Sequence, residues 1–244
     1  MENFDKYRES DIRINEESKS EFQKKLENFW FYHKIHVIVA LFVAMVLSIC
    51  IAQSCSKQSE DILVMYAGPQ FLPAEEVEMI REELNSVMPA DFDGNGEKYT
   101  GVVTYNVMSE EEIKALEKEY KDAESPMTVD RSYFSNQFQT YNQYMLTGEC
   151  GVFLLSPYLY ESLITLENNR LCKLSEVFET VPSSAIDEYG IKLSETPFYK
   201  SSEVLSKLPE DTVLCLTKPF VFGKSSDERY YQRMVSMFIA MGRD

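Results

Sequence analysis

Apolar and polar positions are not evenly mixed along this chain. From Ile35 to Ser56 (IHVIVALFVAMVLSICIAQSCS), 22 residues pass without a formal charge between Lys34 and Lys57. As a helix this run extends about 33 Å at about 1.5 Å per residue, enough to cross a hydrocarbon core of about 30 Å. A helix closes its own backbone hydrogen bonds, so it is stable there without water. Before the run, Phe22, Leu26, Phe29 and Phe31 recur with near-helical spacing from about Glu17 to Tyr32. An amphipathic helix is expected there, lying along the membrane surface or running straight into the span. Residues 1–16 are polar and are expected to be disordered.

After the run the pattern changes period. Ile62–Tyr66 (ILVMY) is a short continuous apolar run, the signature of a strand buried on both faces. Pro73 can open a helix in which Val77, Ile80, Leu84 and Val87 share one face, with Pro89 beyond its end. Tyr99–Val107 is rich in β-branched and aromatic residues and predicts a second strand. Ser109 and Glu112 form a capping box for a helix to about Lys121, and a further helix is expected over Asp130–Leu146. Val152–Leu155 predicts a third strand, and Ser156-Pro157 the start of the next helix, which stops near Glu167-Asn168-Asn169. A short helix over Leu174–Val181, strands at Ile191–Leu193 and Thr212–Thr217, and a C-terminal helix opened by Ser225 and Glu228 complete the series. This alternation predicts an α/β domain with a mostly parallel sheet covered by helices in three layers. The divisions expected are a head (1–34), a transmembrane helix (35–56), a stem (57–61) and one domain (62–244).

Charge sets the orientation expected of the span. Lys24, Lys25 and Lys34 precede it, with His33 beside them, whereas Lys57 follows alone before Glu60 and Asp61. Basic residues stay on the cytoplasmic side, so the head is expected inside and the large domain outside the cell. The aromatic cluster Phe29-Trp30-Phe31-Tyr32 suits the inner interface. The head is long and acidic for a cleaved signal, which favours an uncleaved single-pass anchor. Of the net charge of −16, residues 57–244 carry −15, from 17 Lys/Arg and 32 Asp/Glu. A surface that acidic repels phosphate backbones, so nucleic acid is not expected as a partner.

Three segments hold candidate chemistry, one of them the loop Glu195-Thr196-Pro197-Phe198-Tyr199-Lys200, whose aromatics can line a site or tuck over a sheet edge. Asp91-Phe92-Asp93-Gly94-Asn95-Gly96 matches the first half of a calcium loop, with Asp91, Asp93 and Asn95 as oxygen ligands. Position 12 is Val102 where a glutamate is needed, so a structural calcium would require a carboxylate from elsewhere in the fold. The same residues are ordinary turn formers, and both readings stand at this point; no other cofactor is expected. The helix carrying Tyr133, Phe134, Phe138, Tyr141 and Tyr144 interleaves aromatics with amides, suiting either a stacked ligand or core packing. Open α/β sheets bind ligands at the carboxyl ends of their strands, which makes Tyr133, Tyr144, Ser156, Tyr158 and Tyr199 the candidate ligand contacts. Both histidines, His33 and His36, lie beside or within the apolar run, so the outer domain has no Ser–His or Cys–His pair and no His-based zinc site. A pairing of Cys150 with Cys172 is open, against buried free thiols.

The aromatic-basic cluster FWFYHKIH feeding one span resembles uncharacterised membrane-anchored proteins of Gram-positive bacteria. Through LTGECGVFLLSPYLYESL and GIKLSETPFY the outer domain resembles one lobe of an extracytoplasmic solute-binding protein. The resemblance implies a shared fold; the 188 residues after the run barely furnish one lobe, so closure around a ligand is not implied. The expectation is a non-catalytic, membrane-anchored binding or interaction module for a small molecule, an envelope component or a partner protein. The alternative is a structural or accessory subunit of a membrane complex.

Overall fold

The computed structural model describes residues 20–55, 60–123, 128–166 and 169–244. The expectation of a disordered head at 1–16, most of the polar stem and Glu167-Asn168 lie outside these. The chain divides after residue 58 into two separately packed units.

The first unit is helix α1 (Glu21–Cys55). Its start is set by local chemistry. The Ser20 hydroxyl accepts the Gln23 N–H at 3.3 Å, and the Gln23 side chain accepts the Ser20 N–H at 3.0 Å. This is a reciprocal capping box. The helix then continues without a break, so residues 21–34 run straight into the apolar stretch. Its 35 residues extend about 52 Å, well beyond a hydrocarbon core. None of its apolar stretch is buried, and it is long and apolar enough to cross a membrane, a profile that a signal sequence near an N-terminus shares.

The second unit is a three-layer α/β domain. Its strands are β1 (Ile62–Gly68), β2 (Thr100–Asn106), β3 (Val152–Leu155), β4 (Gly190–Lys192) and β5 (Val213–Leu216), in the order β2-β1-β3-β5-β4. The helices are α2 (Ala74–Val87), α3 (Glu110–Asp122), α4 (Arg131–Met145), α5 (Pro157–Ile164), the single turns α6 (Leu174–Val177) and α7 (Pro197–Lys200), and α8 (Glu228–Gly242). Alternate residues of each central strand enter different cores. Ile62, Val64 and Tyr66 join Val152, Leu154, Leu214 and Leu216 beneath α2 and α8. Leu63, Met65 and Ala67 join Phe153, Leu155, Val213 and Cys215 beneath α4 and α5. Burial on both faces is why these strands read as unbroken apolar runs.

The helix placement follows from handedness. The chain winds from β1 to β2, then back past β1 to β3. A right-handed crossover in each direction requires helices on opposite faces, and α2 and α4 do pack on opposite faces. The sheet is mixed, which corrects the expectation of a mostly parallel one at its far edge. β1, β2 and β3 are mutually parallel, but β5 runs antiparallel to both β3 and β4. The segment from Leu193 to Thr212 forms only short turns, which return the chain beside β4 without a full crossover.

Caps bear out the sequence chemistry at α3 but not at α5 or α8: Pro157 stands in the first turn of α5 as expected, but the Ser156 hydroxyl before it makes no capping bond. Ser109 and Glu112 form the expected box. At α8 the cap is Asp227, whose carboxylate accepts the Arg229 and Tyr230 N–H groups. Ser225 instead accepts the Phe220 N–H at 3.2 Å, bracing a loop described below.

Candidate functional site

The carboxyl edge of the sheet is the first place to look. β1 ends at Gly68, β2 at Asn106 and β3 at Leu155, and the strand order reverses at β1. The backbone there is tied together: Val107 N–H donates to Gly68 O at 2.9 Å and Ser156 N–H to Ala67 O at 2.9 Å. The Asn106 amide donates to Pro69 O at 2.7 Å. Ser156 sits at the N-terminus of α5, buried, with its hydroxyl making no bond to the helix it precedes.

Beside it a groove of about 260 Å³ is lined by Pro157, Tyr160, Glu161, Ile186, Asp187 and Lys192, together with Asp211 and Val213. Asp187 organises this groove. Its carboxylate accepts the Tyr160 hydroxyl at 2.6 Å and the Tyr189 and Gly190 N–H groups at 2.7 and 2.9 Å. Burial, then this bond to Asp187, pushes the Tyr160 phenol well above its ordinary range, so it stays protonated and donating. Glu161, Asp187 and Asp211 line the groove together with Lys192, whose ammonium pairs with Glu195 at 3.2 Å. Its lining combines apolar Ile186 and Val213 with three acids and one lysine.

The five sequence-chosen contacts are not brought together. Tyr158 is exposed beside this edge, and Ser156 is buried in it. Tyr133 is partly exposed on α4 with its ring edge-on to Phe134 at 5.2 Å. Tyr144 packs on Tyr105, 6.0 Å between ring centroids, against the α4–α5 core. Tyr199 is half-buried on α7, its hydroxyl 3.4 Å from Leu208 O. The groove residues Tyr160, Asp187 and Lys192 were missed. The hint available was the short Ile191-Lys192-Leu193 strand; nothing local tied Asp187 to a helix 27 residues earlier.

At the opposite, amino edge lies the Asp91 loop. The carboxylate from elsewhere is Asp61, fully buried just before β1. Asp61 Oδ1 accepts the Phe92 and Asp93 N–H groups at 2.8 and 2.9 Å, and Oδ2 accepts the Tyr99 N–H at 3.0 Å. Asp91 accepts from Gly94 and Gly96, and Asp93 from Asn95. The Asn95 side-chain oxygen accepts the Glu97 N–H. Oxygens of Asp61, Asp91 and Asp93 lie within 4.8 Å of one another, a hard-oxygen set of the kind calcium takes. Each of these carboxylates is also engaged by loop N–H donors, which is what a self-capping turn needs. Asp61 was not legible as part of this loop, because a lone acid before an apolar strand looks like linker.

The thiols of the domain are free. Cys150, Cys172 and Cys215 are buried and unpaired, so the Cys150–Cys172 pairing is not formed. Burial pushes the Cys150 thiol up to about 12 and Cys215 further still. Cys172 is raised by the same cause, 3.3 Å from the Tyr231 hydroxyl. A thiol held protonated is a poor nucleophile.

These features define a class: an α/β domain with a five-stranded mixed sheet, in series with one candidate membrane helix. No family model, no curated protein and no solved structure matches this chain.

Proposed function

We propose that this chain is a single-pass, membrane-anchored binding module, with residues 35–56 as an uncleaved anchor and the acidic α/β domain outside the cell. The observation that carries this reading is a fully exposed apolar helix in series with a separately packed domain. In this reading the domain binds rather than catalyses, which the buried thiols and the absence of histidine after residue 36 support. The helix-covered sheet, with its order reversing at β1, supports the likeness to one lobe of an extracytoplasmic solute-binding protein. The ligand is a small molecule with a cationic group, held in the groove of Tyr160, Asp187 and Lys192. Envelope components enter by the same chemistry.

The test has two arms. N-terminal sequencing and membrane fractionation of the mature chain, with reporter fusions at either end, check the anchor; release of a shortened soluble chain refutes it. Thermal unfolding of the full chain in nanodiscs against amines, amino sugars and cationic peptides checks the groove. A ligand at a hundred times its Kd adds about 2.7 kcal/mol. That raises the midpoint by roughly 5–10 °C in a domain of this size. No shift with any cationic ligand removes the groove from the reading.

The accessory-subunit reading has one observation in its favour, an apolar patch around Val221 and Phe222.

A further inference from the structure

The segment Thr217–Lys224 (TKPFVFGK) carries two lysines and two exposed apolar side chains, and no acid occurs from Thr212 to Ser226. Val221 is 90% exposed and Phe222 60%. The loop that presents them is braced. Gly148 (φ +69°) and Gly223 (φ +77°) both adopt left-handed backbone, and their turns interlock so closely that a Cβ on either would meet backbone at 2.3 or 2.1 Å. Ser225 N–H donates to Gly148 O at 2.8 Å. Phe220 turns inward beneath the Arg170 guanidinium, 4.1 Å from its ring centroid, while Val221 and Phe222 project. Exposed Leu146 and Leu166 share an apolar hollow with Phe220, whose ring lies 6.4 Å from Phe222. The loop thus exposes Val221 and Phe222 between Lys218 and Lys224, with Arg170 over the Phe220 ring and Glu60 and Glu149 paired to Lys224.

The position of the loop selects its occupant. β5 runs antiparallel to β3, so the chain leaves Leu216 opposite Val152, which pairs with Val64 near the start of β1. Lys224 Nζ lies 3.4 Å from Glu60 Oε2 and 3.9 Å from Glu149 Oε2. Glu60 follows Cys55 by five residues, which reach at most about 18 Å when fully extended. A protein anchored through α1 therefore has this loop tethered within reach of the bilayer. The two ion pairs of Lys224 are partly exposed and readily exchanged for lipid phosphate. The acidic Asp91 loop shares the edge on the β2 side, which confines contact to the β3–β5 side.

We propose that the Lys218–Lys224 loop is a membrane-contacting loop: Val221 and Phe222 enter the interfacial zone of the bilayer, and Lys218, Lys224 and Arg170 meet its phosphates. This rests on the reading of α1 as an anchor. The test uses the full chain in vesicles of mixed phosphatidylglycerol and phosphatidylcholine. In a Trp30→Phe background, Phe222→Trp is expected to be quenched by brominated acyl chains and shielded from iodide. Phe71→Trp, exposed at the far edge, is expected to respond to iodide alone. Val221→Trp serves if Phe222→Trp does not fold. Phe222→Ser is expected to lower the ratio of lipid-bound to free loop roughly tenfold, read as lost amide protection over 220–224. A Phe222→Trp that iodide quenches and brominated lipid does not would overturn the inference. Shielding from iodide without lipid quenching also overturns it, assigning the patch to a protein partner or a second copy. Trp30 of the unmodified chain reports the anchor separately: its failure to be quenched by lipid refutes the anchor, whatever the loop does.

Discussion

Asp61 is the residue whose removal tests the architecture of the amino edge most directly. It is fully buried, and its two oxygens accept three backbone N–H groups, from Phe92, Asp93 and Tyr99. Its own N–H donates to Tyr99 O at 2.9 Å, so it joins the start of β1 to the entry of β2. Hydrogen bonds to a charged acceptor are worth about 1.5–3 kcal/mol each. The Phe92 and Asp93 amides lie on a partly exposed loop, where water replaces much of what is lost; the Tyr99 bond, between strands, is not so easily replaced. Asp61→Ala is therefore expected to cost about 3–5 kcal/mol, lowering the midpoint by roughly 8–15 °C in a domain of this size. Asp61→Asn keeps one acceptor oxygen but turns its amide NH2, a donor, toward a backbone N–H donor, and should fall between Ala and wild type. Thermal and denaturant unfolding of the full chain in nanodiscs measures the cost. Amide exchange at Phe92, Asp93 and Tyr99 locates it. If Asp61→Ala costs under about 1 kcal/mol and those amides keep their protection, Asp61 does not organise the loop and the account is wrong.

Other outcomes follow from the same geometry. With the Asp91, Asp93 and Asn95 oxygens engaged by loop donors, millimolar calcium is expected to leave the midpoint where magnesium leaves it; a calcium-specific rise abolished by Asp91→Asn assigns the loop as a cation site instead. The thiols of Cys150, Cys172 and Cys215 should resist alkylation in the native chain and label fully in denaturant, read by peptide mass mapping. Because Cys150 is raised from 9.0 to about 12, the folded state holds its proton while the unfolded chain loses it. Stability from this group is present below about pH 9 and declines as pH rises toward 12, which alkaline unfolding midpoints will register. Asp227 runs the other way: the Tyr230 and then the Arg229 N–H groups hold it below its ordinary value. Its cap is intact above the unfolded value of about 3.9 and is lost as pH falls through the folded one, so the first turn of α8 should exchange faster below about pH 4.

Much of the fold was legible because burial on two faces writes itself into composition. Ile62–Tyr66, Val152–Leu155 and Thr212–Thr217 could only be strands covered on both sides, and the three-and-four spacing of Val77, Ile80, Leu84 and Val87 could only face a sheet. The Ser109–Glu112 box was readable because a cap is a local bond. The antiparallel run of β5 was not readable, since its direction depends on how residues 193–212 turn. Ser225 looked like a cap by spacing alone; its hydroxyl is drawn instead to Phe220, a contact decided by the two interlocked glycine turns. Tyr144 looked available for a ligand, yet Tyr105 on β2 claims its ring. Each miss is a long-range contact that a local pattern does not encode.

The direction of the strands gives the two candidate surfaces distinct ends of one domain. β1 enters directly after the candidate anchor, so its amino end is the tethered one, and β2 and β3 run parallel to it. The loop at Val221-Phe222 leaves β5 at that end, and the groove at Lys192 and Val213 lies at the other. Seven residues of β1 at about 3.3 Å each separate the ends by roughly 23 Å. Contact at the tethered end thus leaves the groove at the untethered end. Acids occur at both edges: Glu161, Asp187 and Asp211 line the groove, while at the tethered edge the Asp91 loop lies on the β2 side and Glu60 and Glu149 pair with Lys224. Residues 57–244, with a net charge of −15, are repelled by an anionic surface as a whole. The apolar loop flanked by Lys218 and Lys224 is the part of such a domain suited to the proposed contact, and it lies at the opposite edge of the sheet from the groove.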